Sequence, residues 1–160
     1  MLRLLLLGAV MGLHGCAAAA AGVSPAERDA VVATAETLFA AMQARDTAAI
    51  RGLFVPDAPI VAITVGEGAA AAPQHRTLAA FIASIARPGE PLLERMWDPR
   101  VEIDGDFASL WAPYDFHIGD RFSHCGTDAF HLVRRAGRWR IVGLSYTLQT
   151  AGCGPRGPGS

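Results

Sequence analysis

Hydrophobic positions change their spacing along this chain, and the change divides it. Leu4 to Leu13 is one unbroken apolar run. From Val31 the apolar residues space out as Val31, Ala35, Leu38, Phe39 and Met42, the period of a helix with one buried stripe. Ser24-Pro25-Ala26-Glu27 supplies the start of that helix: a capping serine, a proline for the first position and a glutamate to close the box. Arg45-Asp46-Thr47 breaks the run and caps a second short helix over Ala48 to Phe54, which Pro56 to Pro59 ends. Ile60 to Val65 is β-branched and reads as a strand, and Gly66 to Gln74 as a loop. Thr77 caps a third helix carrying Leu78, Phe81, Ile82 and Ile85, stopped at Pro88 to Pro91.

From Leu92 the pattern is strands only, over Leu92–Trp97, Val101–Ile103, Phe107–Ile118, Arg121–Arg134 and Arg138–Leu148. Asp104-Gly105, Gly119-Asp120 and Ala136-Gly137 provide the turns. Helices followed by a run of strands predict an α+β fold, with three N-terminal helices on a curved antiparallel sheet. The expected organisation is an export signal over 1–22, one domain over 23–150 and a flexible Gly- and Pro-rich tail over 151–160.

The first segment reads as an address. Arg3 is the only charge before Glu27, and the apolar run is too short to span a bilayer. Two processing sites compete. Leu13-His14-Gly15-Cys16 resembles a lipoprotein box, which would put a lipid on Cys16, and Ala19-Ala20-Ala21 fits ordinary signal cleavage. Either predicts an exported protein: periplasmic, secreted or lipid-anchored to a bacterial envelope, with that lipid as its one membrane contact. Removal or lipidation of Cys16 leaves Cys125 and Cys153, either a disulfide or two free thiols.

Composition narrows the chemistry. The chain has 160 residues, 51% of them hydrophobic, and a net charge of -1, so nothing favours nucleic acid as a partner. All basic residues are arginine, which rules out Schiff-base chemistry and a phosphate-loop lysine.

Strand parity then selects candidate residues. Ala108, Leu110, Ala112, Tyr114 and Phe116 share one face of their strand, so Tyr114 should point into the core while Asp115 and His117 point out. If Phe130 and Leu132 mark the core side of the next strand, His124 and Asp128 enter beside Tyr114, unless a bulge at Gly126 flips one of them. Tyr114, His124 and Asp128 are thus the candidate catalytic set. A histidine shuttles protons near neutrality, a carboxylate fixes its tautomer, and a tyrosine hydroxyl stabilises a developing oxyanion. The competing reading is structural, with these groups satisfying buried backbone. His117, His124 and His131 lie seven apart, so successive rings alternate faces and suggest no metal site. No cofactor is implied.

The order helix–helix–strand–helix–strands, Trp111 to Phe116, Ser123 to Phe130 and Gly137-Arg138-Trp139-Arg140-Ile141-Val142 together resemble the nuclear transport factor 2-like superfamily, in its SnoaL-like bacterial branch. The resemblance implies a cystatin-like fold with a cone-shaped pocket and a homodimer formed through the outer sheet face. It does not imply a particular reaction, since the superfamily hosts isomerases, dehydratases, cyclases and binding proteins. Three readings stand: a small-molecule-binding or accessory domain, a cofactor-independent isomerase, dehydratase or cyclase acting on an apolar carbonyl compound, and a structural module.

Overall fold

The computed structural model describes residues 23–65 and 72–153. The expected export signal over 1–22, residues 66–71 and residues 154–160 lie outside the described residues.

Three helices form where caps and stripes predict them. Helix α1 is Pro25–Gln43, and its capping box is complete: Glu27 N–H donates to Ser24 Oγ at 3.2 Å, and Ser24 Oγ donates to the Glu27 carboxylate at 3.0 Å. Val31, Ala35, Leu38, Phe39 and Met42 are buried along one side. Asp46 caps α2 (Thr47–Leu53) by accepting from Ala49 N–H at 2.9 Å. Thr77 caps α3 (Leu78–Ile85) by accepting from Ala80 N–H at 3.1 Å. None of the described helices is long and apolar enough to cross a membrane.

The strands are β1 (Ile60–Thr64), β2 (Pro73–Arg76), β3 (Leu92–Met96), β4 (Arg100–Asp104), β5 (Phe107–Ile118), β6 (Arg121–Arg135) and β7 (Arg138–Leu148). They form one seven-stranded sheet in the order β2-β1-β7-β6-β5-β3, with β4 continuing the edge along the first half of β5. Two expectations need correction. The sheet is mixed, because β1 lies parallel to β7, Ile60 beside Leu144 and Thr64 beside Leu148. A pairing that returns across most of the chain leaves no local pattern to read. Second, Pro73–Arg76 is a strand and not a loop, pairing antiparallel with β1. As an edge strand with mostly exposed side chains it lacks apolar alternation. The three helices all precede β3, but β1 and β2 separate α2 from α3.

The core fills the space between helices and sheet. Leu38, Ile50, Ile60, Leu110, Phe130, Leu132 and Ile141 are all fully buried there. Ala136 and Gly137 both take positive φ, 49° and 74°, the conformation that a two-residue hairpin requires. The tail is tied at its root. Cys125 and Gln149 exchange both backbone hydrogen bonds at 2.9 Å, and Gly152 at φ 70° turns the chain back. Cys153 thereby reaches Cys125 in a disulfide, with the Cα atoms 6.2 Å apart.

Candidate functional site

A cavity of about 270 Å³ opens between α1, α3 and the inner face of the sheet. Its walls are chiefly apolar, with Phe39, Phe81, Phe116, Leu144 and Tyr146 prominent. Tyr114, His124 and Asp128 all line it, as parity predicts. Gly126 stays in register opposite Tyr114, and the register shift falls instead between Phe116 and His117, beyond His124.

The three residues share the cavity without forming one hydrogen-bonded group. Tyr114 is buried and donates its hydroxyl proton to the Thr147 carbonyl at 2.9 Å. That oxygen is free because β7 parts from β6 there: Thr127 N–H turns to Thr147 Oγ1 at 2.9 Å. Gly126 permits the arrangement, since a Cβ on it would lie 1.9 Å from Thr147 O. Burial first, then the charges of Asp128 and Glu94, push the phenol far above its ordinary value. Tyr114 therefore stays neutral, with its proton committed to the fold.

His124 stacks on Phe116, ring centroids 4.9 Å apart, and meets Tyr114 edge-on at 5.8 Å. Its Nδ1 lies 3.0 Å from Ser123 Oγ. Burial lowers its pKa, so the ring is neutral at pH 7. Cys125, its neighbour, faces the other way and is spent in the disulfide.

Asp128 is 2% exposed, and its partner is a residue that sequence reasoning missed. Glu94 on β3 turns its carboxyl group into the same cavity, within hydrogen-bond reach of Asp128. Burial, then the neighbouring Asp128 charge, raises Glu94 well above the ordinary carboxylate value. Burial pushes Asp128 up to about 7, with the hydrogen bond from Glu94 offsetting part of that rise. Near neutrality the pair holds one shared proton, seated on Glu94 and donated to Asp128. Asp128 Oδ2 is then left buried with no hydrogen-bond partner. Glu94 carried a weak signal: a carboxylate on the face it shares with Leu92 and Met96, in a strand too short for parity to be decisive.

Other candidates lie elsewhere. Asp115 faces outward, as parity predicts, yet is only 3% exposed. Arg95 covers it, donating to both carboxylate oxygens at 2.9 and 2.6 Å, and His117 Nε2 stands 3.4 Å away. His131 is exposed against the Phe107 ring. Arg76, at the end of β2, contributes to the cavity wall. Among the described residues no group of three or more His, Cys, Asp or Glu is placed to hold a metal ion.

Solved structures share this fold. A nuclear transport factor 2-like protein from Cytophaga hutchinsonii superposes with a TM-score of 0.64 at 15% identity, over 77% of this chain and 98% of its own. One of unknown function from Shewanella baltica gives 0.60 at 19%, over 79% and 96%. One with a cystatin-like fold from Novosphingobium aromaticivorans gives 0.61 at 17%, over 79% and 84%. No curated protein matches the chain. The profile of one family does match, over residues 26–147, from the first turn of α1 to the end of β7. The chain therefore belongs to the family described as putative lumazine-binding, within the nuclear transport factor 2-like superfamily.

Proposed function

We propose that this is an exported small-molecule-binding domain whose ligand occupies the cavity between α1, α3 and the sheet. The carrying observation is the cavity itself: about 270 Å³, walled mainly by apolar and aromatic side chains, with a few convergent polar groups. The family's description points to lumazine, and a flat heteroaromatic ring of that kind suits walls made of Phe39, Phe81, Phe116 and Tyr146. A cone-shaped pocket is part of this proposal. Export is supported by the Cys125–Cys153 disulfide, which belongs to an oxidising compartment. A homodimer through the outer sheet face is supported by Phe107 and Trp111, 46% and 52% exposed on the same side of β5.

Titration with lumazine, followed by amide and methyl NMR shifts, tests the reading. Saturable shifts confined to residues such as Leu38, Ile85 and Leu144 are expected. They should vanish in Ser84→Trp, which fills the cavity from α3 while circular dichroism remains native. Shifts confined to the outer sheet face, or none, would overturn the assignment.

A second reading has its own observation, the Glu94–Asp128 pair. Asp128, pushed to about 7, is poised to take or return a proton on an apolar carbonyl compound, as an isomerase, dehydratase or cyclase would require. Tyr114 would then act by holding β7 in place, since its proton is already given to Thr147. Asp128-dependent deuterium incorporation beside the carbonyl of 1-indanone in D₂O would favour this reading, and loss of the signal in Asp128→Asn would locate it.

A further inference from the structure

Asp128 presents an unfinished contact. Its side chain is buried, it lines the cavity, and Oδ2 accepts no hydrogen bond among the described residues. A buried carboxylate oxygen with no partner is costly in a protein interior, and proteins complete such groups with a donor. Among the described residues none reaches Oδ2. The Tyr114 hydroxyl points to Thr147, and Glu94 is a second acid rather than a counter-cation. The helices contribute Leu38, Phe39, Met42, Phe81, Ser84 and Ile85 to the lining, none of them charged.

We propose that the ligand brings the missing donor: a protonated amine or amidine on a flat apolar frame, with its N–H directed at the Asp128 carboxylate. This rests on the reading of the cavity as a binding site for a flat ring, and departs from lumazine itself, which carries no positive charge. Two further features agree. The rings of Phe39, Phe116, Tyr114 and Tyr146 line the same enclosure, and the π-face of such a ring attracts a cation. Two carboxyl groups in one small cavity repel an anion, and the cation in the wall, Arg76, makes no ion pair with either of them among the described residues. Arg76 is thus free to meet an acceptor at the other end of the same ligand.

The proposal fixes a pH dependence. The titratable or charged groups around the carboxylate are Glu94 from β3, Tyr114 from β5, His124 from β6, Tyr146 from β7 and Arg76 from β2. His124 and Tyr114 are neutral at pH 7, so the carboxyl pair is the group that changes charge near neutrality. Below about pH 7 Asp128 carries a proton of its own, which a cation must displace to solvent, so binding tightens as the pH rises.

Three probes of one size separate the possibilities: benzamidine, benzyl alcohol and benzoate, titrated by calorimetry into the full chain at about pH 6 and about pH 8. Benzamidine is expected to bind at least about tenfold tighter than either of the others, and tighter at the higher pH. Asp128→Asn, which keeps the shape and removes the charge, is expected to abolish that preference while leaving benzyl alcohol within about twofold. Glu94→Gln retains a donor toward Asp128 and is expected to keep the preference. If benzyl alcohol or benzoate binds as tightly as benzamidine, the ligand class is wrong and the binding cavity stands. If Asp128→Asn weakens all three alike, the residue is structural and the proposal fails. If no probe binds, the cavity reading fails and the ligand class with it.

Discussion

Strands β5 and β6 hold two buried aspartates on opposite faces of one sheet, and the two have opposite fates. Asp115, on the outer face, is 3% exposed; Asp128, on the inner face, is 2% exposed. Burial pushes both carboxyl groups up. At Asp115 the bidentate Arg95 guanidinium, assisted by His117, overcomes burial and holds the group below its ordinary value. At Asp128 the neighbour is another acid, and the group rises to about 7. Equal burial therefore has no single meaning. A buried charge with its counter-charge in place belongs to the fold, and one without it is open to a ligand.

The comparison can be broken at several points. The largest expected effect lies on the outer face, where Cys125 is the register partner of Asp115. Cys153→Ser removes a crosslink spanning 28 residues and is expected to cost about 3 kcal/mol in urea unfolding. Arg95→Ala strands Asp115 under the sheet and is expected to cost about 2 kcal/mol, a figure moderated because the Arg95 side chain is itself 61% exposed. Removing charge from the inner face should act the other way. Asp128→Asn is expected to raise stability by roughly 1–2 kcal/mol at pH 8 and to change little at pH 5, where the native group is already protonated. Tyr114→Phe, which forfeits one hydrogen bond to Thr147, is expected to cost about 1 kcal/mol, and chemical denaturation resolves it.

The pH profiles also separate the two faces. Asp128 binds its proton more tightly folded than unfolded, so stability falls as pH rises from about 4 to about 7 and is flat above. Asp115 has the opposite sign: its stabilisation is present above the ordinary carboxylate range and is lost as pH falls through its lowered value. A denaturation series against pH in wild type, Asp115→Asn and Asp128→Asn resolves the two contributions.

Much of the fold was legible because its signals are local. The Ser24–Glu27 box, the stripe from Val31 to Met42 and the paired turn residues Ala136 and Gly137 act within a few residues of themselves. Parity placed Tyr114, His124 and Asp128 on the inner face for the same reason: side chains alternate along long strands with apolar markers such as Leu110 and Phe130. Long-range partners were not legible. Glu94 reaches Asp128 only after β3 is laid along β5, and Arg95 covers Asp115 from 20 residues away. The parallel seam of β1 against β7 and the edge strand β2 likewise depend on partners far away in sequence or on polar residues that carry no alternation. The tyrosine shows the limit of parity in another way. Its direction followed from the sequence, but the bond that occupies its hydroxyl depends on Gly126 letting Thr147 come close.

The most direct test of the account is a carbon-13 NMR titration of the aspartate side-chain carboxyl groups in the ligand-free protein, assigned through Asp115→Asn and Asp128→Asn. The account predicts a midpoint near 7 for Asp128 and one below the ordinary carboxylate value for Asp115. If Asp128 instead titrates with the surface carboxylates, it has found a donor in the folded chain, and neither an open binding group nor a proton carrier can be built on it.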